Sequence, residues 1–371
     1  MRRRAPAILT VAIAAAAANA GAQAPASPSP SAPPALPAGR QQALESALTA
    51  AMHRHGIPGL SAAVATDGTV RFSSGYGMAD VENSVPALPS TVYRLASVAK
   101  PITAVAVLQL AAQGKLDLDA PVQRYVPGYP EKPWPITGRQ LLCHQSGVRQ
   151  WTEEEFLSTR HYGSLAESLE FFKDDPLLFE PGTRTHYSSL AYNLLGSAVE
   201  TASGQGFLDY LRDSVFAPAG MTSARGDDVF ALIAHRAAGY RKTPAGELIN
   251  SALSDTSNRV PGGGLVATAE DAVRFAVALE SGVLLKKDAR EQMFARQKTK
   301  DGRLTGYGLG WTVGTEHGRR EVYHIGGQPR VSTVLYLLPD RGVTLAIFTN
   351  LEGVGTPLLE LARQAAEVVA R

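Results

Sequence analysis

Hydrophobic positions along the chain change period twice. From Gln41 to His55 the apolar residues Leu44, Leu48, Ala51 and Met52 recur at helical spacing, and the run stops at Gly56-Ile57-Pro58-Gly59. This predicts an amphipathic N-terminal helix. Leu60 to Ala65 and Thr69 to Tyr76 then read as two strands around Thr66-Asp67-Gly68, and an Asp-Gly pair in that position is a hairpin signal. From Ser97 to about Leu208 the pattern is helical between Pro and Gly breaks, with Val98 to Gln113 closed by Gly114 and Leu190 to Thr201 closed before Gly204. A helix from Thr268 to Glu280 opens on the N-cap sequence Thr268-Ala269-Glu270-Asp271. Strands return at Gly308 to Val313, Val322 to Ile325, Ser332 to Leu338 and Val343 to Asn350, the last pair joined by Pro339-Asp340-Arg341-Gly342. Leu358 to Ala370 closes the chain as a helix.

Strands at both ends and helices between them predict an α/β (α+β) fold. One antiparallel sheet is built from both termini and flanked by the terminal helices, with a helical lobe inserted into it. The sheet lobe is expected over about 41–95 and 260–371 and the helical lobe over about 96–259, leaving a cleft between them.

The first residues change the picture of where this domain works. Met1-Arg2-Arg3-Arg4, an Ala-rich apolar run from Ala5 to Ala18 and small-x-small sites ending at Ala20 and Ala24 form a secretory signal peptide over 1–24. The apolar run is shorter than a membrane span requires. Residues 25–40, rich in Pro, Ala and Ser, read as a flexible linker, and 41–371 as the catalytic domain. The expected location is periplasmic or secreted, with no membrane span after cleavage. Without the three leading arginines the chain carries 33 basic and 34 acidic residues, which argues against a nucleic-acid partner. A single cysteine, Cys143, excludes an intrachain disulfide, and its apolar setting points to burial.

Three short motifs carry chemistry. In Ser97-Val98-Ala99-Lys100 the spacing i, i+3 puts Lys100 on the face of Ser97. A helix N-terminus favours negative charge there, and a desolvated lysine can act as a base. Alone, Ser-x-x-Lys usually marks a solvated helix face. Tyr187-Ser188-Ser189 lies at a loop-to-helix junction, where a phenol of depressed pKa next to Lys100 would relay a proton; alone, such a tyrosine is more often packing. His324-Ile325-Gly326-Gly327 is expected at a strand end, where glycines let a substrate lie along the edge and the Gly327 N–H joins that of Ser97 as an oxyanion hole. No Gly-x-Ser-x-Gly elbow supports a Ser-His-Asp esterase. No spacing among the eight histidines suggests a metal. His144, in an apolar run, reads as a satisfied core histidine, and His186 as a rim residue.

In this order the motifs resemble the class C beta-lactamase-like serine hydrolases. So do Ile57-Pro58-Gly59, Gly75-Tyr76-Gly77-Met78-Ala79-Asp80, Leu141-Leu142-Cys143-His144-Gln145-Ser146-Gly147, Gly262-Gly263-Gly264-Leu265 and Tyr307-Gly308-Leu309-Gly310-Trp311. The runs Asp80-Val81-Glu82-Asn83, Leu118 to Pro127 and Phe172-Lys173-Asp174-Asp175-Pro176-Leu177 are similar to the mitochondrial serine beta-lactamase-like branch. The resemblance implies a beta-lactamase/transpeptidase-like fold, Ser97 as nucleophile, Lys100 and Tyr187 as the acid/base pair, and 324–327 as the substrate-binding strand. It implies no metal and no organic cofactor.

Three positions depart from the family pattern. Ser189 stands where many members have Asn, and can make fewer hydrogen bonds. His324 stands where true beta-lactamases place Lys, so carboxylate recognition is expected to weaken and esterase or peptidase chemistry to gain over beta-lactam turnover. Arg330 replaces a glycine in a turn that, if it needs positive φ, strains an arginine; it is expected to reach into the cleft and supply the missing cation. The expected substrates are small molecules, peptides or peptidoglycan-derived amides, and esters. The alternative is a penicillin- or cell-wall-binding module that acylates without turnover.

Overall fold

The computed structural model describes residues 35–370. The signal peptide and most of the linker expected from the sequence lie outside the described residues.

Twelve strands are present among these residues: β1 Gly59–Thr66, β2 Thr69–Asp80, β3 Val85–Pro86, β4 Tyr93–Arg94, β5 Arg225–Gly226, β6 Tyr240–Lys242, β7 Leu248–Asn250, β8 Leu265–Ala267, β9 Thr312–Glu316, β10 Arg319–Gln328, β11 Val331–Leu338 and β12 Val343–Thr349. Seven form one antiparallel sheet in the order β3-β2-β1-β12-β11-β10-β9. The halves of the chain meet where β1 pairs β12, from Leu60 opposite Thr349 to Thr66 opposite Val343. The β1–β2 hairpin turns through Asp67 and Gly68, both at positive φ (49° and 72°), as the sign of a type I′ turn requires.

The central strands are buried on both faces, and their period of two sorts side chains between two cores. Leu60, Ala62 and Val64 of β1, Val334 and Tyr336 of β11, and Leu345 and Ile347 of β12 face the terminal helices Ala38–His55 and Gly355–Ala370. Ala63, Leu335, Ala346 and Phe348 face the other way, toward the helices Ala269–Glu280 and Ala99–Ala112. Helix Ala38–His55 ends on Gly56 in the left-handed region, and Ala269–Glu280 opens with a capping box between Thr268 and Asp271.

One expected strand is displaced. Gly308 to Trp311 is a loop, and β9 starts at Thr312. Gly308 sits so close to the Met293 carbonyl that a Cβ would lie 2.3 Å from its oxygen, and Gly310, at φ 85°, presses on Ala104 and donates its N–H to the Leu142 carbonyl at 3.1 Å. These glycines serve close approach to helix Ala99–Ala112. The segment His324 to Gly327 lies at the C-terminal end of β10, which runs one residue further to Gln328, and is paired with β11, Gly326 opposite Thr333 and Gly327 opposite Ser332.

Candidate active site

Ser97 sits on a single 3-10 turn, Ala96–Val98, that runs directly into helix Ala99–Ala112. The turn is held from behind by the sheet: Thr333 Oγ1 on β11 donates to the Leu95 carbonyl at 2.9 Å. Gly326 on β10 packs there so closely that a Cβ would come within 2.1 Å of Thr333 Oγ1 and 2.6 Å of the Leu95 oxygen. Ala96, fully buried, has φ 48°. A residue with a Cβ in that region costs roughly 1–2 kcal/mol, and the strain lies immediately before Ser97.

Ser97, Lys100 and Thr103 recur every three residues along one helix face. Lys100 is fully buried, with Nζ 3.0 Å from Ser97 Oγ and donating to the Gly262 carbonyl at 2.7 Å. Thr103 Oγ1 donates to the neighbouring Pro261 carbonyl at 2.7 Å. The short helix Val260–Gly263 that supplies both acceptors is seated against helix Leu190–Ser203, where Gly196 leaves room: a Cβ there would meet Pro261 Cγ at 2.3 Å. Burial drives the Lys100 amine well below the ordinary lysine range, and the charge of Arg259 pushes the same way. No acid opposes this shift. The rings of Tyr187 and Tyr192 face Nζ at 4.9 and 5.4 Å.

Tyr187 corrects the sequence expectation. Its phenol is raised above the ordinary range by burial, opposed only in part by hydrogen bonding to Ser97 and Ser189. It is a protonated donor at neutral pH, not a phenol of depressed pKa. His144 supports it: the two rings lie 4.3 Å apart, and His144 Nδ1 accepts the Ser188 N–H at 3.3 Å. His144 lies just past the helix Gly138–Leu142, buried and in the left-handed region at φ 60°. Burial and the nearby Lys100 hold it uncharged. Cys143 is also buried, its thiol pushed up to about 12. His186 is exposed beside Phe179.

His324 is 4% exposed, donates from Nδ1 to the Ile325 carbonyl at 2.9 Å, and faces the Tyr187 ring at 6.4 Å. Burial first, and Lys100 second, push it down to about 3, so it presents a neutral imidazole. Beyond it the strand edge is open, because β9 pairs with β10 only as far as Tyr323. Gly327 and Gln328 reach the cleft, and Gln328 Nε2 ties this edge to the opposite side by donating to the Gly263 carbonyl at 3.1 Å.

The cleft, about 370 Å³, is lined by Ser97, Tyr187, Ser189, Gly327 and Gln328, and also by Gln150, Trp151, Thr152, Glu153, Phe156, Arg259, Gly262 and Gly263. Ser189 is buried, its N–H donating to Gln150 Oε1 at 2.9 Å. Arg330 is not among the lining residues. It occupies the Pro329-Arg330 turn at φ 83°, packs its Cβ against Gly239 and donates its backbone N–H to Glu352 at 3.1 Å. The expected positive φ is there, and the expected reach into the cleft is not: the side chain starts out against Gly239, its Nε is buried without a hydrogen-bond partner, and it contributes nothing to the cleft lining. The cation lining the cleft is Arg259, which sequence reading passed over, as it did Gln150, Trp151 and Phe156. The nearest signal was the Gly262-Gly263-Gly264 run three residues on. Among the described residues no cluster of three His, Cys, Asp or Glu could hold a metal ion, and no helix is long and apolar enough to cross a membrane.

Comparison with known proteins places this geometry. The human mitochondrial serine beta-lactamase-like protein LACTB is 29% identical over 412 residues, covering 81% of this chain and 74% of that protein. Penicillin-binding protein 4* of Bacillus subtilis (strain 168) is 29% identical over 308 residues, covering 78% of this chain and 67% of its own length. The structure of D-amino acid amidase from Ochrobactrum anthropi SV3 complexed with D-phenylalanine superposes with a TM-score of 0.79 over 90% of this chain and 99% of that one, at 24% identity, a likeness of fold. The profile described as "Beta-lactamase" matches residues 44–370. With that match spanning most of its length, the chain belongs to the beta-lactamase family of serine hydrolases.

Proposed function

We propose that this chain is an exported acyl-transfer hydrolase acting on peptide, amide or ester bonds, with Ser97 as nucleophile. The observation that carries the reading is the pairing of Ser97 Oγ with a fully buried Lys100 amine at 3.0 Å whose pKa no acid raises. Uncharged, that amine keeps one N–H on the Gly262 carbonyl and turns its lone pair to the Ser97 hydroxyl.

Lys100 takes the Ser97 proton as Oγ adds to the substrate carbonyl. The backbone N–H groups of Ser97 and Gly327 receive the oxyanion. As the tetrahedral intermediate collapses, Tyr187 donates its proton to the leaving amine or alcohol and is reprotonated by the Lys100 ammonium. Water then cleaves the acyl-enzyme by the reverse proton path, restoring Ser97. The opposite displacements of the two pKa values support this division: the depressed amine is the base, the elevated phenol the acid. The open β10 edge from His324 to Gln328 suits an extended substrate backbone added as a further strand. The neutral His324 favours esters and amides over efficient beta-lactam turnover. Export rests on the N-terminal sequence alone; N-terminal sequencing of the mature protein is expected to begin after Ala20 or Ala24.

Intact-mass measurement with a fluorophosphonate probe, a penicillin and an activated ester tests the reading against Ser97→Ala. A Ser97-dependent adduct, with rapid ester turnover and slow penicillin hydrolysis, is expected. A stable adduct with no turnover of any of the three would make the chain a binding module, and no adduct at all would remove Ser97 from the chemistry.

A further inference from the structure

Arg259 is 2% exposed and makes no ion pair. The one hydrogen bond of its side chain runs from Nη2 to the Phe156 carbonyl at 2.5 Å. Nε and Nη1 have no partner, and neither has the indole Nε1 of Trp151, whose ring lies 5.4 Å from the guanidinium; the Phe156 ring lies at 4.4 Å. One wall of the cleft therefore holds three buried donor nitrogens with no acceptor, beside a guanidinium that feels Asp227 and Asp255 but forms an ion pair with neither. Buried donors left unpaired are costly. A bound water would satisfy the donors but would bring no charge. Glu153, the acidic residue lining the cleft, is exposed at its rim and forms no ion pair with Arg259. Asp227 is already engaged by Arg94 at 2.7 Å, and Asp255 by His161 at 2.9 Å. Supporting the 151–156 segment uses one N–H of Arg259, and the Trp151 and Phe156 rings with the more distant Asp227 and Asp255 offset part of its charge, but its remaining donors are left without a partner.

We propose that the cleft selects acyl substrates that carry a carboxylate, and that Arg259 with the Trp151 indole N–H is the anchor for that group. A guanidinium offers two parallel N–H bonds matched to a carboxylate. The rings of Trp151 and Phe156 are part-exposed and lie against the guanidinium, so a carboxylate that reaches its buried donors displaces them. The role sought in Arg330 thus falls to a residue on the opposite wall from the open strand edge. The inference rests on the reading that Ser97 is the residue acylated in this cleft.

Its test is the ratio of kcat/KM for two p-nitrophenyl esters of equal length, the adipate monoester and the hexanoate, which differ by a carboxylate in place of a methyl group. The wild type is expected to favour the adipate ester at low ionic strength. Arg259→Met is expected to lower the ratio by about tenfold to a hundredfold, the range of a hydrogen bond to a charged group, and Arg259→Lys to lower it less. Taking the ratio cancels any change in Lys100, which affects both esters alike. If Arg259→Met does not fold, competition in the wild type decides: hexanoate is expected to inhibit at least about tenfold more tightly than hexanamide. A wild-type ratio near one with equal inhibition by acid and amide, or a ratio that Arg259→Met leaves in place, overturns the anchor while Ser97 chemistry stands. Undiminished hydrolysis of both esters by Ser97→Ala would instead overturn the reading beneath it.

Discussion

The two walls of the cleft solve the problem of buried positive charge in opposite ways. Around Ser97, Lys100, His144 and His324 are all buried and all pushed toward their uncharged forms, by desolvation first and in the two histidines by Lys100 as well. Across the cleft Arg259 is just as buried, yet desolvation and Arg94 bring it down only to about 9, so it remains charged at neutral pH. An amine or imidazole escapes the cost of burial by releasing a proton. A guanidinium, starting from a much higher pKa, does not. The reactive wall is consequently rich in groups pushed toward their neutral forms, whereas the other wall keeps the one permanent cation among the lining residues described.

The largest expected effect breaks the reactive wall outright. Ser97→Ala is expected to lower kcat by about four orders of magnitude or more, read by steady-state ester hydrolysis together with loss of the covalent adduct. Tyr187→Phe follows, at about 10²- to 10⁴-fold on an amide substrate. An activated aryl ester, whose leaving group departs without a proton, is expected to suffer much less. Equal losses on amide and aryl ester would show that Tyr187 does not act as the leaving-group acid and would reopen its division of labour with Lys100.

The same contrast explains what was legible in the sequence. Ser97, Lys100 and Tyr187 stood out as candidates because local spacing and junction position mark them, and the sheet was read from periods that its buried strands preserve. Arg259 sits in Ser257-Asn258-Arg259-Val260-Pro261, where no period or motif marks it, and its meaning comes from Trp151 and Phe156, more than a hundred residues earlier in the chain. The Tyr187 error has the same root: whether a phenol is raised or lowered depends on what surrounds it, and the sequence next to it does not say. Gly308 to Val313 misled for a simpler reason. Alternating glycines and large apolar residues imitate a strand, but here Gly308 and Gly310 admit the Met293 carbonyl and helix Ala99–Ala112.

Whether the walls act independently is a question for the pH profile. Activity on the neutral hexanoate ester requires the free amine of Lys100, so kcat/KM is expected to rise with pH through the depressed Lys100 pKa. Burial is the first cause of that depression and Arg259 the second. Removing the cation in Arg259→Met leaves burial alone, the Lys100 pKa rises, and the acidic limb is expected to move to higher pH. An unmoved limb would mean that the field of Arg259 does not reach Lys100 and that the two walls share a cavity without sharing electrostatics.

The smallest expected effect sharpens the comparison by exclusion. Arg330 is the other arginine that could have served the cleft, and it stands next to Gln328 and Pro329 at the end of the substrate-side strand. Its Cβ is fixed against Gly239, however, and its charge acts on Arg94. Arg330→Ala is therefore expected to change kcat/KM for the adipate and hexanoate esters by less than about twofold, and their ratio not at all, as for a substitution with no contact to the site. A selective loss on the adipate ester would transfer the anchor from Arg259 back to the turn. It would also require the Pro329-Arg330 turn to leave its packing on Gly239 when substrate binds, a rearrangement that Arg330→Gly, free at positive φ, would make easier rather than harder.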